Sequence, residues 1–323
     1  MSSDLSSTPA LRSGLGRWPA SKRKMGIGFM LPITERSAFG DRLRFSNMLE
    51  MAQTAEAAGY DTVWLADHFF FRAPIAPEGE EFGQWEAWTA AAALAQGTSK
   101  INIGLLVSCI GWRNPGLVAA MTETIDEISG GRFILGVGAG WHQPEYDAFG
   151  FPFDHRVSRF EDAISILDQL LRSGSANHDG TYFQAKDAPN RPRGPLGVTG
   201  GAPILVGTSG ERMLRLTATY ADAWNTCWHK SADDALPSLR SLEVACAEVG
   251  RDPETIVKTA GGNIARTGYT GFRGNAFEGD DDQIAEHMAT FRDLGFRHFV
   301  AGIDPTTPAS LEAFARVIEK LDT

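Results

Sequence analysis

The side chains best suited to chemistry fall at the ends of apolar runs. Asp67-His68 follows Thr62-Val63-Trp64-Leu65-Ala66, Ser108-Cys109 follows the run ending in Leu106-Val107, and Trp141-His142 follows Phe133-Ile134-Leu135-Gly136-Val137-Gly138-Ala139-Gly140. Gly207-Thr208-Ser209-Gly210 follows Ile204-Leu205-Val206. Asn225, Cys227 and Trp228 come just after a sixth run. His68 is the acid–base candidate, because an imidazole exchanges protons near neutral pH. Asp67 stands beside it, able to orient the ring or to cap the next turn. Gly207-Thr208-Ser209-Gly210 precedes a helical pattern, so backbone N–H groups, two hydroxyls and the helix dipole converge on an anion such as phosphate. A plain Ser209 N-cap would carry the same residues.

Glycines 136, 138 and 140 strip side chains from one of these ends. A flat group could lie on the bare backbone there, or the glycines could ease helix–strand packing. Phe69, Phe70, Phe71, Trp112, Trp141, Trp224 and Trp228 collect at the same ends. They suit a flat heteroaromatic cofactor or an apolar substrate. The glycine run is not a dinucleotide fingerprint, since Trp141 stands where the last glycine belongs and the run lies on a fourth strand. No metal is expected: Met30-Leu31-Pro32-Ile33 offers no ligand after the first strand, and His142-x-x-Glu145 is a bare pair. Lys258 is the strand lysine in view for Schiff-base chemistry.

Something must bring these ends together. From Met25 onward, apolar strands alternate with helical stripes. Strands are expected near 26–31, 62–66, 101–107, 133–140, 204–206, 221–224, 255–265 and 296–301. The helical stripes include Met48, Met51, Ala52, Ala55 and Ala58, and later Phe160, Ala163, Ile164, Leu167, Leu170 and Leu171. Asn114-Pro115, Ser231-x-x-Asp234 and Thr307-Pro308 read as helix starts. Eight strand–helix units predict an α/β fold, a closed (β/α)8 TIM barrel with an insertion after strand four at about 173–202. In such a barrel the C-terminal strand ends form one mouth. The loop after the second strand is long enough to be functional.

Composition bounds the rest. The 323 residues carry a formal net charge of −10, which argues against a nucleic-acid partner. No run approaches the about 18 apolar residues of a membrane span. Residues 1–24, rich in Ser, Pro and basic side chains without an apolar core, are expected as a flexible leader, and 25–323 as one domain. Three cysteines without paired spacing point to a reduced, cytoplasmic protein.

Val63-Trp64-Leu65-Ala66-Asp67-His68-Phe69 resembles the second-strand motif of the bacterial luciferase-like flavin or deazaflavin oxidoreductases. Ser129-Gly130-Gly131-Arg132-Phe133, then Gly140-Trp141-His142-Gln143-Pro144-Glu145-Tyr146 and Phe149-Gly150, are similar to that family's most specific signature. Pro203-Ile204-Leu205-Val206-Gly207 and Tyr220-Ala221-Asp222-Ala223-Trp224-Asn225 also match, so the resemblance spans 25–322. It implies a TIM barrel that binds coenzyme F420 or, alternatively, FMN. The expected cofactor contacts are Leu106, Val107, Ser108, Cys109, Ala139, Gly140, Trp141, His142, Gly207, Thr208, Ser209 and Gly210. His68 would be the catalytic base with Asp67 as its companion. A non-prolyl cis peptide is expected within 106–108.

The resemblance further implies hydride transfer to or from a small-molecule substrate, a homodimer, and a flavin or F420 reductase as partner. A two-component FMN monooxygenase and a non-catalytic flavin-binding barrel are the alternatives. Trp141 departs from the deazaflavin-dependent sugar-phosphate dehydrogenases, which carry a glutamate after the glycine run. A sugar-phosphate substrate is therefore not expected.

Overall fold

The computed structural model describes residues 16–35, 43–73, 76, 78–268 and 275–322. Eight strands form the barrel: β1 (Gly26–Met30), β2 (Thr62–Leu65), β3 (Asn102–Leu105), β4 (Phe133–Gly138), β5 (Ile204–Gly207), β6 (Ala223–Cys227), β7 (Val257–Arg266) and β8 (His298–Asp304). Each pairs in parallel with the next, and β8 closes on β1 with Gly26 opposite His298. This is the expected (β/α)8 TIM barrel.

Two apolar layers hold it. Trp64, Leu106, Ile134, Leu205, Ala223, Val257 and Val300 fill the barrel interior. Trp64 fits only because its neighbours are glycine: a Cβ on Gly28 or Gly104 would lie 2.4 and 2.3 Å from the indole. Outside, the strands' other face meets the helices. These are α1 (Phe45–Ala57), α2 (Ala87–Gly97), α3 (Pro115–Ser129), the short α4 (Gln143–Phe149), α5 (Arg156–Ser173), α6 (Glu211–Tyr220), α7 (Leu236–Val249), α8 (Asp281–Asp293) and α9 (Pro308–Leu321). The expected stripe on α5 is buried throughout. The insertion lies between α5 and β5. Its hairpin, Ser175–Asp179 against Gln184–Pro189, is pinned by Asp162, which accepts from the Tyr182 and Phe183 amides at 2.7 and 3.3 Å.

Three expectations shift. The third strand stops at Leu105; the Leu106–Val107 peptide is cis, and the chain returns as Ser108–Cys109 beside β4. The sixth strand begins at Ala223 because Asp222 is a junction carboxylate, accepting from Ile204 N at 2.8 Å and paired with Arg17 and Arg172. The leader divides: 1–15 lie outside the described residues, while 16–24 are packed beneath the barrel. There Arg17 meets Asp222 at 2.7 Å, Trp18 stacks on Trp64 at 6.3 Å, and Arg23 bridges Asp61 and Asp322 at 2.8 and 2.6 Å. Ion pairs and an aromatic contact hold this segment, so a flexible leader does not extend to residue 24.

Candidate active site

At the upper mouth, Asp67 and His68 leave β2 in opposite directions, as successive residues of an extended chain do. Asp67 turns inward. Its carboxylate takes a bidentate pair from Arg113 at 2.6 and 3.1 Å, and also accepts from Ser108 Oγ and Cys109 N, both at 3.0 Å. Arg113 bonds Glu86 as well, at 2.9 Å. Burial pulls the guanidinium pKa down, but Asp67 and Glu86 outweigh it and hold the group above its ordinary value. Trp88 Nε1 donates to Ser108 Oγ at 3.0 Å. Asp67 therefore anchors the return after β3 and makes no contact with the His68 ring.

The ring's partner is Glu145. His68 Nδ1 lies 2.8 Å from Glu145 Oε2, and the other oxygen accepts from the Phe69 and Phe70 amides. Glu145 is fully buried in the first turn of α4. A carboxylate on Nδ1 makes that nitrogen the donor and leaves Nε2 to exchange a proton. Around the ring stand Phe71, Trp141 and Trp112, with centroids at 4.5, 5.4 and 6.2 Å. His142 is buried, and its Nε2 accepts from Arg72 N at 3.3 Å. Burial holds its pKa below the ordinary histidine value, only partly offset by Glu145, so it is a neutral structural ring.

The glycines of β4 are filled by protein. A Cβ on Gly136 would meet the Leu105 carbonyl oxygen at 1.8 Å; one on Gly138 would meet Val107 at 2.7 Å, and one on Gly207 would meet it at 2.9 Å. They are gaps into which the return after β3 settles, so Val107, not bare β4 backbone, caps the interior here. Gly140 has φ +80°, and a Cβ there would strike Tyr146 Oη at 1.8 Å. That hydroxyl donates to the Ala139 carbonyl at 3.1 Å and receives the Cys109 thiol at 2.9 Å. Burial pushes the thiol up to about 12, so Cys109 stays protonated.

Of the expected cofactor contacts, Leu106 belongs to the interior core, and Ser108, Cys109 and His142 turn their side chains into the protein. Val107 and Ala139 are partly accessible, and Trp141 is 52% exposed. Gly207 and Thr208 are half-buried; Ser209 and Gly210 are exposed. The N-cap of α6 is Gly210, not Ser209, and no side chain caps its first turn. Thr208 Oγ1 accepts from Gly210 N at 3.3 Å, and Trp224 Nε1 fixes the Thr208 carbonyl at 2.9 Å. Among the described residues no three His, Cys, Asp or Glu side chains gather to hold a metal ion.

Glu145 is the site residue that the sequence left without a role. Three positions after His142 it makes only a bare pair, and its partner, His68, is 77 residues away.

Comparison with known proteins gives the family and supports the fold. Residues 25–267 match the model of the luciferase-like monooxygenase family. A phthiodiolone/phenolphthiodiolone dimycocerosates ketoreductase of Mycobacterium kansasii is 29% identical over 226 residues, which cover 64% of this chain and 59% of that protein. The chain thus spans about three fifths of that relative. An F420-dependent secondary alcohol dehydrogenase, solved with an F420–acetone adduct, superposes with TM-score 0.74 at 20% identity, covering 93% of this chain and 100% of the other. Riboflavin lyase with modified FMN and riboflavin also gives 0.74, at 15% identity, covering 92% of each chain. The chain belongs to the luciferase-like monooxygenase family, a family of oxidoreductases.

Proposed function

We propose that the chain is an F420-dependent oxidoreductase that moves a hydride to or from a small organic substrate. The observation that carries this reading is the buried Glu145 carboxylate 2.8 Å from His68 Nδ1 at the barrel mouth. A hydride shift between an alcohol and a carbonyl needs a proton moved at the oxygen, and an oriented imidazole is suited to that task. His68 Nε2 takes the hydroxyl proton as the alcohol becomes a carbonyl, and returns it in reverse. Glu145 keeps Nδ1 protonated and steadies the imidazolium.

The residues present fit such a cofactor. Val107 offers a partly accessible apolar surface at the top of the barrel, and the α6 first turn offers backbone N–H groups that no side chain occupies. When bound, F420 supplies or accepts the hydride at its C5. Val107, Ala139 and Gly140 would hold the ring, and Gly207, Thr208, Ser209 and Gly210 the phosphate. The aromatic side chains around His68 would cover a bound substrate and, with it in place, keep water from the reacting groups.

A second reading, an FMN-dependent monooxygenase supplied by a separate reductase, is favoured by the family's own description and by the FMN-bearing riboflavin lyase. Titration of the purified chain with F420 and with FMN, followed by fluorescence, separates the two. Tight FMN binding without F420 binding sinks the first reading and leaves the second.

A further inference from the structure

We infer that the substrate is an uncharged, apolar alcohol or carbonyl compound, and that Trp141 selects it. This rests on the proposed oxidoreductase reading for the reaction, but on separate observations for the ligand.

The first observation is a charge inventory. Among the described residues that adjoin His68, every positive charge is already paired. Asp67 is held by Arg113, and Arg113 also by Glu86. Glu145 is consumed by His68 and two backbone amides. Arg72 pairs with Glu81 and lies over the Phe70 ring at 4.6 Å. His142 is kept neutral by burial. A phosphate or carboxylate brought to His68 would lose its hydration and find no unpaired cation among the described residues there.

The second observation is the wall itself. Phe71 and Trp141 stack at 6.3 Å, and both contact the His68 ring. Phe69 continues the surface to Trp112 at 4.6 Å and to Phe149 at 4.9 Å. Trp141 and Phe149 are 52% and 56% exposed, so this apolar surface faces outward beside the one imidazole that Glu145 orients. Large aromatic rings left in water beside a reactive group gain by covering an apolar ligand.

The test has a binding arm and a turnover arm. In the first, acetophenone and glucose 6-phosphate are titrated onto the full chain, bare and loaded with F420 or FMN, with tryptophan fluorescence as the readout. Acetophenone should bind and glucose 6-phosphate should not. Trp141→Ala should weaken acetophenone about tenfold, whereas Trp141→Phe should stay within about threefold. In the second arm, with F420, 1-phenylethanol should give a kcat/KM at least ~100-fold above glucose 6-phosphate.

Acetophenone binding that depends on Trp141, with F420 neither bound nor reduced, supports this ligand class and removes the proposed function. Reduction of F420 by glucose 6-phosphate in preference to 1-phenylethanol overturns the ligand class and keeps the function. A chain that ignores acetophenone in every form overturns the inference, as does equal loss in the Ala and Phe variants.

Discussion

The two ends of the barrel carry nearly the same residues put to opposite use. Each has an imidazole among indoles: His68 with Trp112 and Trp141 above, His298 with Trp64 and Trp18 below. Above, a carboxylate holds Nδ1 and the ring keeps an accessible edge. Below, Trp64 Nε1 donates to His298 Nε2 at 3.0 Å, Trp18 lies edge-on at 5.8 Å, and the ring is buried. Burial drives the pKa of His298 down to about 4, with Asp61 opposing only weakly, so it stays neutral at ordinary pH. Residue type alone does not make an acid–base group. The partner on the far nitrogen and access to the near one do.

The largest expected effect breaks the symmetry of the pair. His68→Ala should lower turnover by 10²- to 10³-fold, roughly 3–4 kcal/mol of barrier, with cofactor affinity within a few-fold. His298→Gln should leave turnover per folded molecule within about twofold. Steady-state rates on both variants, normalised by circular dichroism, decide the matter. Equal losses would mean that the upper ring is also structural.

The second effect is on stability and belongs to the lower end. The folded-state pKa of His298, about 4, lies below the unfolded value near 6.5. The unfolded chain therefore takes up the proton first as pH falls. This histidine's contribution is complete above about pH 6.5 and is lost progressively down to about pH 4. The loss amounts to about 3 kcal/mol. Urea unfolding of the wild type and His298→Gln across pH 4–7 should show the steeper fall in the wild type. Parallel curves would refute the burial argument.

Much of the upper end was readable in the sequence because periodicity marks where strands stop, and a barrel gathers those stops. Asp67 and His68 were both legible as mouth residues. Their opposite directions were not anticipated: Asp67 was expected as the companion of His68, yet neighbours in an extended segment face apart and its carboxylate goes to Arg113, Ser108 and Cys109. Glu145 was not legible, because the contact joins α4 to the end of β2 across 77 residues. Nor could glycine count distinguish a floor for a ligand from a socket for Val107; the difference lies in the return after β3, which lays Val107 against Gly136, Gly138 and Gly207. The lower cluster was hidden altogether. Trp18 sits in a Ser- and Pro-rich stretch that reads as solvent-exposed, and neighbouring Arg17 finds Asp222 across 205 residues.

The smallest effect tests whether that lower cluster works as a unit. Trp18 covers His298 and Trp64 from below, and it is only half-buried itself. Trp18→Ala should therefore cost about 2 kcal/mol at pH 7, less than a fully buried tryptophan would. Turnover should not change, because none of the upper mouth touches it. The variant should also admit water to His298, and hydration lets the imidazolium form more readily, moving the folded-state pKa up toward 6.5. The gap between folded and unfolded pKa then narrows, and with it the loss of stability on acidification. Trp18→Ala should thus be clearly weaker than wild type at pH 7 and nearly level with it at pH 4. A constant difference across that range would mean that Trp18 contributes packing alone and that the rest of the barrel keeps His298 dry.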